Sequence, residues 1–194
     1  MTAEPASFEF DADNAARAKA IVARYPAGRE HSALLPLLDL AQRQAGGWLP
    51  RAAIEFIAKY LALPRIRVEE VVSFYTMFFT RSVGTHVVWV CTTTPCWLRG
   101  SDAILDRCKR VLGCDVGENS ADGKFTLTEA ECLGACVNAP MVQINDDFYE
   151  DLDADKVAAV LEALRRGERP KTGSQSGRHT SEPEGGATTL KGGS

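Results

Sequence analysis

The sequence predicts two domains of different class, a bundle of α-helices over residues 1–81 and an α/β domain over residues 82–167. Apolar residues recur at helical spacing in the first domain, and a β-branched run from His86 to Val90 then replaces that spacing. From Arg169 onward the composition changes to Gly, Ser, Thr, Pro, Lys and Glu. A segment with so little apolar surface predicts a disordered or extended tail over residues 168–194, ordered only when bound to a partner.

Proline and glycine mark the ends of four predicted helices in the first domain. The first spans Ala15 to Ala23, and Ser32 is the predicted N-cap of the second. Gly46 ends the second helix, Pro50 begins the third and Pro64 ends it. The inward-facing stripes of the second to fourth helices are Leu34, Leu37, Leu38 and Ala41, then Ile54, Ile57, Ala58 and Leu61, then Val68, Val71 and Val72.

A cluster of large apolar residues from Phe74 to Phe79 follows the fourth helix. Packing in the core is the main prediction for this cluster. The alternative is a surface patch that faces a partner, because several large apolar groups in a row are hard to bury in a small bundle.

The second domain is predicted to read strand, helix, strand, hairpin, helix. Asn145 and its neighbours have the composition of a hairpin turn, Asp153 caps the last helix, and Gly167 ends it. The predicted elements are strands at His86 to Val90 and Lys124 to Ala130, a helix at Ser101 to Leu112, short strands at Met141 to Ile144 and Phe148 to Tyr149, and a helix that ends at Arg166. This order is the skeleton of a thioredoxin-like α/β domain.

Four cysteines in two close pairs are the candidate functional residues. Cys91 and Cys96 are separated by four residues, Cys132 and Cys136 by three, and 35 residues lie between the pairs. Thiolates are soft ligands, and four of them satisfy either an iron–sulfur cluster or a zinc ion. We expect ligands or free thiols rather than disulfides, because nothing in the sequence indicates export.

Three chemistries stay open on the residues alone: a two-iron, two-sulfide cluster, a zinc site, and redox-active or merely free thiols. The spacers contain turn formers rather than tight zinc knuckles, which favours the cluster. A dithiol redox motif, Cys-x-x-Cys, is absent, and only His86 lies near a pair where a Rieske centre needs two histidines. Cys108 and Cys114 are interpreted as structural or incidental.

Composition and motifs exclude several other functions. The net charge of −4 leaves no basic stripe for nucleic acid, and no apolar run reaches the roughly 20 residues that span a bilayer. The segment from Met1 to Asp13 has no features of a signal or transit peptide, so a cytoplasmic chain is expected. No phosphate-binding loop, nucleotide-binding fingerprint or catalytic triad is visible, which indicates an electron carrier that needs a partner.

Several motifs together resemble one family, the thioredoxin-fold ferredoxin subunit of respiratory complex I. They are Cys91-Thr92-Thr93-Thr94-Pro95-Cys96, Glu131-Cys132-Leu133-Gly134-Ala135-Cys136 with Ala139-Pro140, Gly46-Gly47-Trp48-Leu49-Pro50 and Phe74-Tyr75-Thr76-Met77-Phe78. The resemblance covers roughly residues 12 to 165. The tail from Gly177 to Leu190 is similar to the tails of alphaproteobacterial members.

The resemblance implies that Cys91, Cys96, Cys132 and Cys136 hold one [2Fe-2S] cluster. It also implies a larger partner flavoprotein that binds FMN and NADH, a neighbouring iron–sulfur subunit, and a peripheral position on the cytoplasmic side of the inner membrane. The cluster would take one electron from that flavin, and the chain would have no substrate site of its own. The alternatives are the equivalent subunit of an NAD-linked hydrogenase or formate dehydrogenase, and a zinc-stabilised interaction module.

Overall fold

A computed structural model describes residues 4–183, 185–186 and 189, and the chain forms two compact units, Met1–Val83 and Gly84–Ser194. The first unit is helical, and the second is built on a mixed sheet. Among the described residues, none of the helices combines the length and the apolar character needed to cross a bilayer.

The first unit contains four α-helices whose apolar stripes meet in one core. Leu37, Ile57 and Val68 are fully buried there, as the helical spacing predicts. The helices are α1 (Ala12–Val22), α2 (Leu34–Gln44), α3 (Arg51–Tyr60) and α4 (Arg65–Phe74). Phe8 and Phe10 precede α1 and pack edge to face on Phe56 of α3, a contact that the sequence does not predict.

The predicted start of the first helix and the predicted cap of the second need correction. Residues Glu30–Ala33 form a 3₁₀ turn that leads directly into α2, so Ser32 is not its N-cap and no side chain caps it. The helix α1 begins three residues earlier than predicted, because the Asp11 side chain accepts a hydrogen bond from the Asn14 backbone N–H at 2.8 Å.

The apolar cluster after α4 is mostly exposed. Phe78 is buried, but Phe74 is 78% exposed and Tyr75 and Met77 are also exposed, so core packing is the wrong prediction for these three. Phe74 lies two residues beyond the inward-facing Val72, about 200° further round the helix, so its side chain points away from the core.

The second unit carries a five-stranded sheet in the order β2-β1-β3-β4-β5. The strands are β1 (His86–Cys91), β2 (Phe125–Ala130), β3 (Val142–Ile144), β4 (Asp147–Glu150) and β5 (Gly173–Ser174). The helices are α5 (Thr94–Leu98), α6 (Ser101–Leu112) and α7 (Ala154–Arg165). The central strand β1 is parallel to β2 and antiparallel to β3, an arrangement that agrees with the predicted thioredoxin-like fold.

The ends of the long helices follow the sequence signals closely. The helix α6 has the predicted bounds, and Gly113 ends it in the left-handed conformation. Asp153 caps α7 by accepting hydrogen bonds from the Asp155 and Lys156 backbone N–H groups. Gly167 closes α7 at φ +83°, with backbone bonds to the preceding turn that form a Schellman motif.

Gly84 allows β1 to start directly beside β2. A Cβ atom on residue 84 would lie 2.6 Å from the backbone of Phe125, so a larger residue would push the two strands apart. His86 then donates its backbone N–H to the Lys124 carbonyl at 2.8 Å, and the parallel register continues from there to Cys91.

The tail is ordered over much of its length, which corrects the prediction of disorder for residues 169–182. Gly173–Ser174 pairs in parallel with β4, and Arg178 is almost buried against Asp151. A lack of apolar side chains does not predict this order, because hydrogen bonds and an ion pair hold the segment in place. The predictions that fall on residues 184, 187–188 and 190–194 lie outside the described residues.

Candidate metal centre

The two cysteine pairs meet because their strands run parallel. Cys91 is the last residue of β1 and lies opposite Ala130, the last residue of β2. Parallel neighbours end at the same edge of a sheet, so the loop after β1 and the loop after β2 leave side by side. Cys132 follows Ala130 by two residues and therefore lies at the same edge of the sheet as Cys91.

Hydrogen bonds fasten the two loops to each other. The Thr92 backbone N–H donates to the Ala130 carbonyl at 3.2 Å, and its hydroxyl donates to Glu129 Oε1 at 2.6 Å. The Thr93 hydroxyl donates to the Glu131 carbonyl, which also accepts from Cys91 Sγ at 3.2 Å. The Thr92 hydroxyl thus binds the end of β2, and the Thr93 hydroxyl binds the loop that follows it.

Cys96 lies on a short helix that sequence reasoning missed. The helix α5 begins at Thr94, and Pro95 occupies its first turn. Proline favours that position because it has no N–H to leave unpaired there, so Pro95 is the signal that could have located the helix.

Cys132 and Cys136 lie on an irregular loop with a short 3₁₀ turn, Cys136–Asn138. Gly134 lies between them at φ +83°, a conformation that glycine adopts without strain. The two Sγ atoms are 3.7 Å apart. Two thiolates on one tetrahedral metal with bonds of about 2.3 Å lie roughly 3.8 Å apart, so this spacing fits a shared metal ion.

The pairs differ in burial. Cys91 and Cys96 are 2% and 1% exposed and pack with Ala139 and Met141, whereas Cys132 and Cys136 are exposed. Across the described part of the chain, no three His, Cys, Asp or Glu side chains are close enough to hold one metal ion. The thiols are thus grouped as one buried pair and one exposed pair.

Electrostatics connect the two pairs. Burial raises the pKa of Cys96 to about 12, with further contributions from its hydrogen bond to Cys91 and from the charge of Cys136. The hydrogen bond to Cys132 is the main cause that raises the pKa of Cys136, and the charge of Cys91 adds to it. Cys136 therefore interacts with the buried pair as well as with its own partner. Both thiols are protonated near neutral pH, and a metal must displace those protons.

The other candidate ligands lie elsewhere. Cys108 is fully buried on α6 in an apolar cluster, as predicted, and burial raises its pKa to about 12. Cys114 is half-buried beside the same cluster. His86 stacks on Phe125 at the start of β1, about 16 Å along the strand from Cys91 at five steps of 3.3 Å. The structure does not bring His86 to the cysteines.

Known proteins resemble this chain over most of its length. The profile of the thioredoxin-like [2Fe-2S] ferredoxin family matches residues 18–165. The E subunit of NADH-quinone oxidoreductase from Rickettsia conorii is 55% identical over 165 residues, which cover 85% of this chain and 99% of that protein. The mitochondrial NADH dehydrogenase [ubiquinone] flavoprotein 2 of Dictyostelium discoideum is 48% identical over 187 residues, which cover 96% of this chain and 76% of that protein.

Among solved structures, an NAD⁺-reducing [NiFe]-hydrogenase in the air-oxidised state superimposes with a TM-score of 0.59 at 22% identity. The match covers 67% of this chain and 23% of the hydrogenase chain, so it supports the fold alone. The sequence matches show the family as well as the fold. The chain belongs to the thioredoxin-like [2Fe-2S] ferredoxin family, together with the E subunits of NADH-quinone oxidoreductase that it resembles.

Proposed function

We propose that this chain is the electron-transfer subunit of the NADH-oxidising module of respiratory complex I. In this proposal Cys91, Cys96, Cys132 and Cys136 hold one [2Fe-2S] cluster. The observation that carries the proposal is the arrangement of these thiols as two pairs at one edge of a parallel strand pair, in a chain 55% identical to a bacterial NADH-quinone oxidoreductase component.

The donor set fits a two-iron cluster. Such a cluster takes four cysteine thiolates, two at each iron. The structure offers two pairs of thiols at one edge of the sheet, one of them with a sulfur separation of 3.7 Å. A loop containing Gly134 can approach a cluster closely because glycine has no side chain there.

The two thiol pairs would hold the cluster from opposite sides, one buried and one exposed. When bound, the cluster would supply reversible one-electron transfer. Cys91 and Cys96 would anchor it from the buried side, where Ala139 and Met141 exclude water. Cys132 and Cys136 would hold its exposed side, where a redox partner can approach.

The names of the relatives, rather than this structure, support assembly with partner subunits. The matched proteins are named as subunits of NADH-quinone oxidoreductase and as a flavoprotein component of NADH dehydrogenase. As part of the proposal, FMN and NADH bind to a larger partner flavoprotein, a further iron–sulfur subunit lies beside it, and the chain lies at the cytoplasmic side of the membrane. It acts as a non-autonomous subunit of the oxidoreductase.

Metal analysis tests the site directly. We expect two irons and two acid-labile sulfides per reddish-brown chain, and an electron paramagnetic resonance signal that appears only on reduction. A colourless chain with one zinc ion would instead establish the zinc-stabilised interaction module.

The equivalent subunit of an NAD-reducing hydrogenase is the second candidate, because one such enzyme shares the fold. Identity of 22% to that enzyme against 55% to the Rickettsia conorii protein favours complex I. Affinity purification from the native membrane separates the two: complex I predicts many co-purifying subunits, including membrane ones, and the alternative predicts a small water-soluble complex.

A further inference from the structure

Residues 173–182, called the strap from here on, lie against the loop that carries Cys136. Arg178 Nη2 donates a hydrogen bond to the Val137 carbonyl at 3.0 Å. Asn138 Nδ2 donates to the Thr180 carbonyl at 2.8 Å. Val137 and Asn138 are the two residues that follow Cys136, so the strap is bonded directly to the 3₁₀ turn on which Cys136 lies.

Arg178 is itself fixed by a buried ion pair. Its Nε donates to Asp151 Oδ2 at 3.1 Å, its Nη2 bonds Asp151 Oδ1, and its Nη1 donates to the Glu182 carbonyl at 3.0 Å. The Arg178 and Asp151 side chains are only 10% and 9% exposed. A planar guanidinium can serve a carboxylate and two carbonyls at once, which the single ammonium of a lysine cannot match.

The carboxylate of Asp151 stays charged despite its burial. Burial alone would raise its pKa, but hydrogen bonds from Arg178 and Ser174, together with the charge of Arg178, hold the pKa below its usual value. Removing the guanidinium would leave this carboxylate unpaired in a site that excludes water.

The 3₁₀ turn is clamped from a second side by the end of β4. The Asp151 backbone N–H donates to the Asn138 carbonyl at 2.8 Å, and Asn138 Nδ2 donates to Glu150 Oε2 at 2.8 Å. Asn138 is buried, whereas the thiols of Cys132 and Cys136 are exposed. Leu133 and Ala135, which lie between the two cysteines, pack on the apolar cluster around Cys91 and Cys96. The position of the 3₁₀ turn that begins at Cys136 thus depends on polar contacts with the end of β4 and with the strap.

We propose that Arg178 is a positioning residue for Cys136, which it fixes through the strap and the 3₁₀ turn in the geometry that metal binding needs. The inference deepens the proposed function, because the cluster is the ligand that this geometry serves. Residues that orient metal ligands typically contribute roughly 10- to 100-fold in metal affinity.

The experiment compares iron loss from four full-length, cluster-loaded chains: wild type, Arg178→Ala, Arg178→Lys and the control Arg166→Ala. Arg166 also forms an arginine–carboxylate pair, to Glu168 at 2.6 Å, but that pair is exposed and does not touch the cysteine loop. We expect a chelator to remove iron roughly 10- to 100-fold faster from Arg178→Ala than from wild type, with Arg178→Lys between them. Arg166→Ala should match wild type.

A spectroscopic signature separates positioning from general destabilisation. Arg178→Ala should give a broadened or shifted resonance signal on reduction, because the sulfur of Cys136 no longer has one fixed position. A signal identical to wild type would overturn the proposal, even with a lower thermal midpoint. So would a wild-type rate of iron loss.

A second probe keeps the inference distinct from the proposed function. Metal-free chains are titrated with Cd²⁺, and binding is read from the thiolate–metal absorbance. Weaker Cd²⁺ affinity of Arg178→Ala than of Arg166→Ala, by roughly 10- to 100-fold, supports the positioning role, and equal affinity overturns it. If the wild-type chain binds no iron, the proposed function fails, and the Cd²⁺ comparison alone decides the role of Arg178.

Discussion

The two cysteine pairs occupy the same edge of one sheet but are held in place by different forces. Cys91 ends a central strand and Cys96 lies on α5, and both are buried with Ala139 and Met141. Cys132 and Cys136 are exposed on an irregular loop. Apolar burial positions the first pair, whereas hydrogen bonds from distant residues hold the turn that begins at Cys136, so identical donor atoms need not have equally rigid support.

Serine substitutions should show the largest difference between the pairs, in the amount of iron that each variant retains. We expect Cys96→Ser to abolish iron binding, because a hydroxyl is a poor substitute for a thiolate and water cannot complete the coordination in the buried pair. Cys132→Ser should retain part of the iron, because its exposed loop admits water as a replacement ligand. Iron analysis of the purified variants measures both effects.

The matched control is Cys108→Ser, a buried cysteine outside the site. It should keep wild-type iron and lose about 1–3 kcal/mol of unfolding free energy, because a hydroxyl replaces a thiol in an apolar cluster. Equal iron contents for Cys96→Ser and Cys132→Ser would contradict the proposed difference between the pairs.

Alkylation of the metal-free chain should resolve the pairs residue by residue. Cys132 and Cys136 should react first, because they are exposed. Cys96 and Cys108 should react last, because burial limits access and raises the pKa of each to about 12, which leaves little reactive thiolate at pH 8. Peptide mapping after timed iodoacetamide treatment gives the order, and early labelling of Cys96 would refute it.

The pH dependence of metal binding tests a property that both pairs share, a thiol with a raised pKa. The pKa of one thiol in each pair is raised, so both are protonated at neutral pH, and metal must displace their protons. Each displaced proton makes the affinity rise about tenfold per pH unit while the pH stays below the thiol pKa. Cd²⁺ titrations at pH 6.5 and 8.5 should therefore show tighter binding at the higher pH. A flat profile would rule this out.

The smallest expected effect comes from a change that touches neither pair. Asp153→Ala removes the N-cap of α7 and should cost about 1 kcal/mol of unfolding free energy, with no change in iron content. Asp155→Ala is the control, since that side chain is 96% exposed, is not the N-cap of α7 and makes a long ion pair to Arg107 at 3.8 Å. Urea denaturation measures both variants, and a loss of iron from Asp153→Ala would show that the site depends on α7 more than the contacts indicate.

Local sequence signals predict the regular elements well. The helix α6 lies where its apolar stripe and Gly113 predict, and Asp153 and Gly167 bound α7 as expected. The convergence of the cysteine loops also follows from the sequence, because two strands joined through a helix pair in parallel and end at one edge. The role of the four cysteines as cluster ligands stays a prediction.

The remaining features depend on contacts that local pattern does not record. The bonds of Arg178 to Asp151 and Val137 span 27 and 41 residues, and no periodicity in a Gly- and Ser-rich tail indicates them. The sequence does not indicate the unequal burial of the two pairs either, because small and large residues flank both, with Thr92 and Trp97 beside the first pair and Leu133 and Ala135 beside the second. In the fold, Met141 and Ala139 pack with the first pair.

The strap also affects the order in which the parts of the site are completed during synthesis of the chain. Arg178 follows Val137 by 41 residues, so a ribosome adding about 5–20 residues per second needs roughly 2–8 s to supply it after the cysteine loop is made. During that interval Cys132 and Cys136 lack the support of the strap. The support of Cys136 by Arg178 is thus completed late in synthesis, after the helices and the first four strands of the second unit have been made.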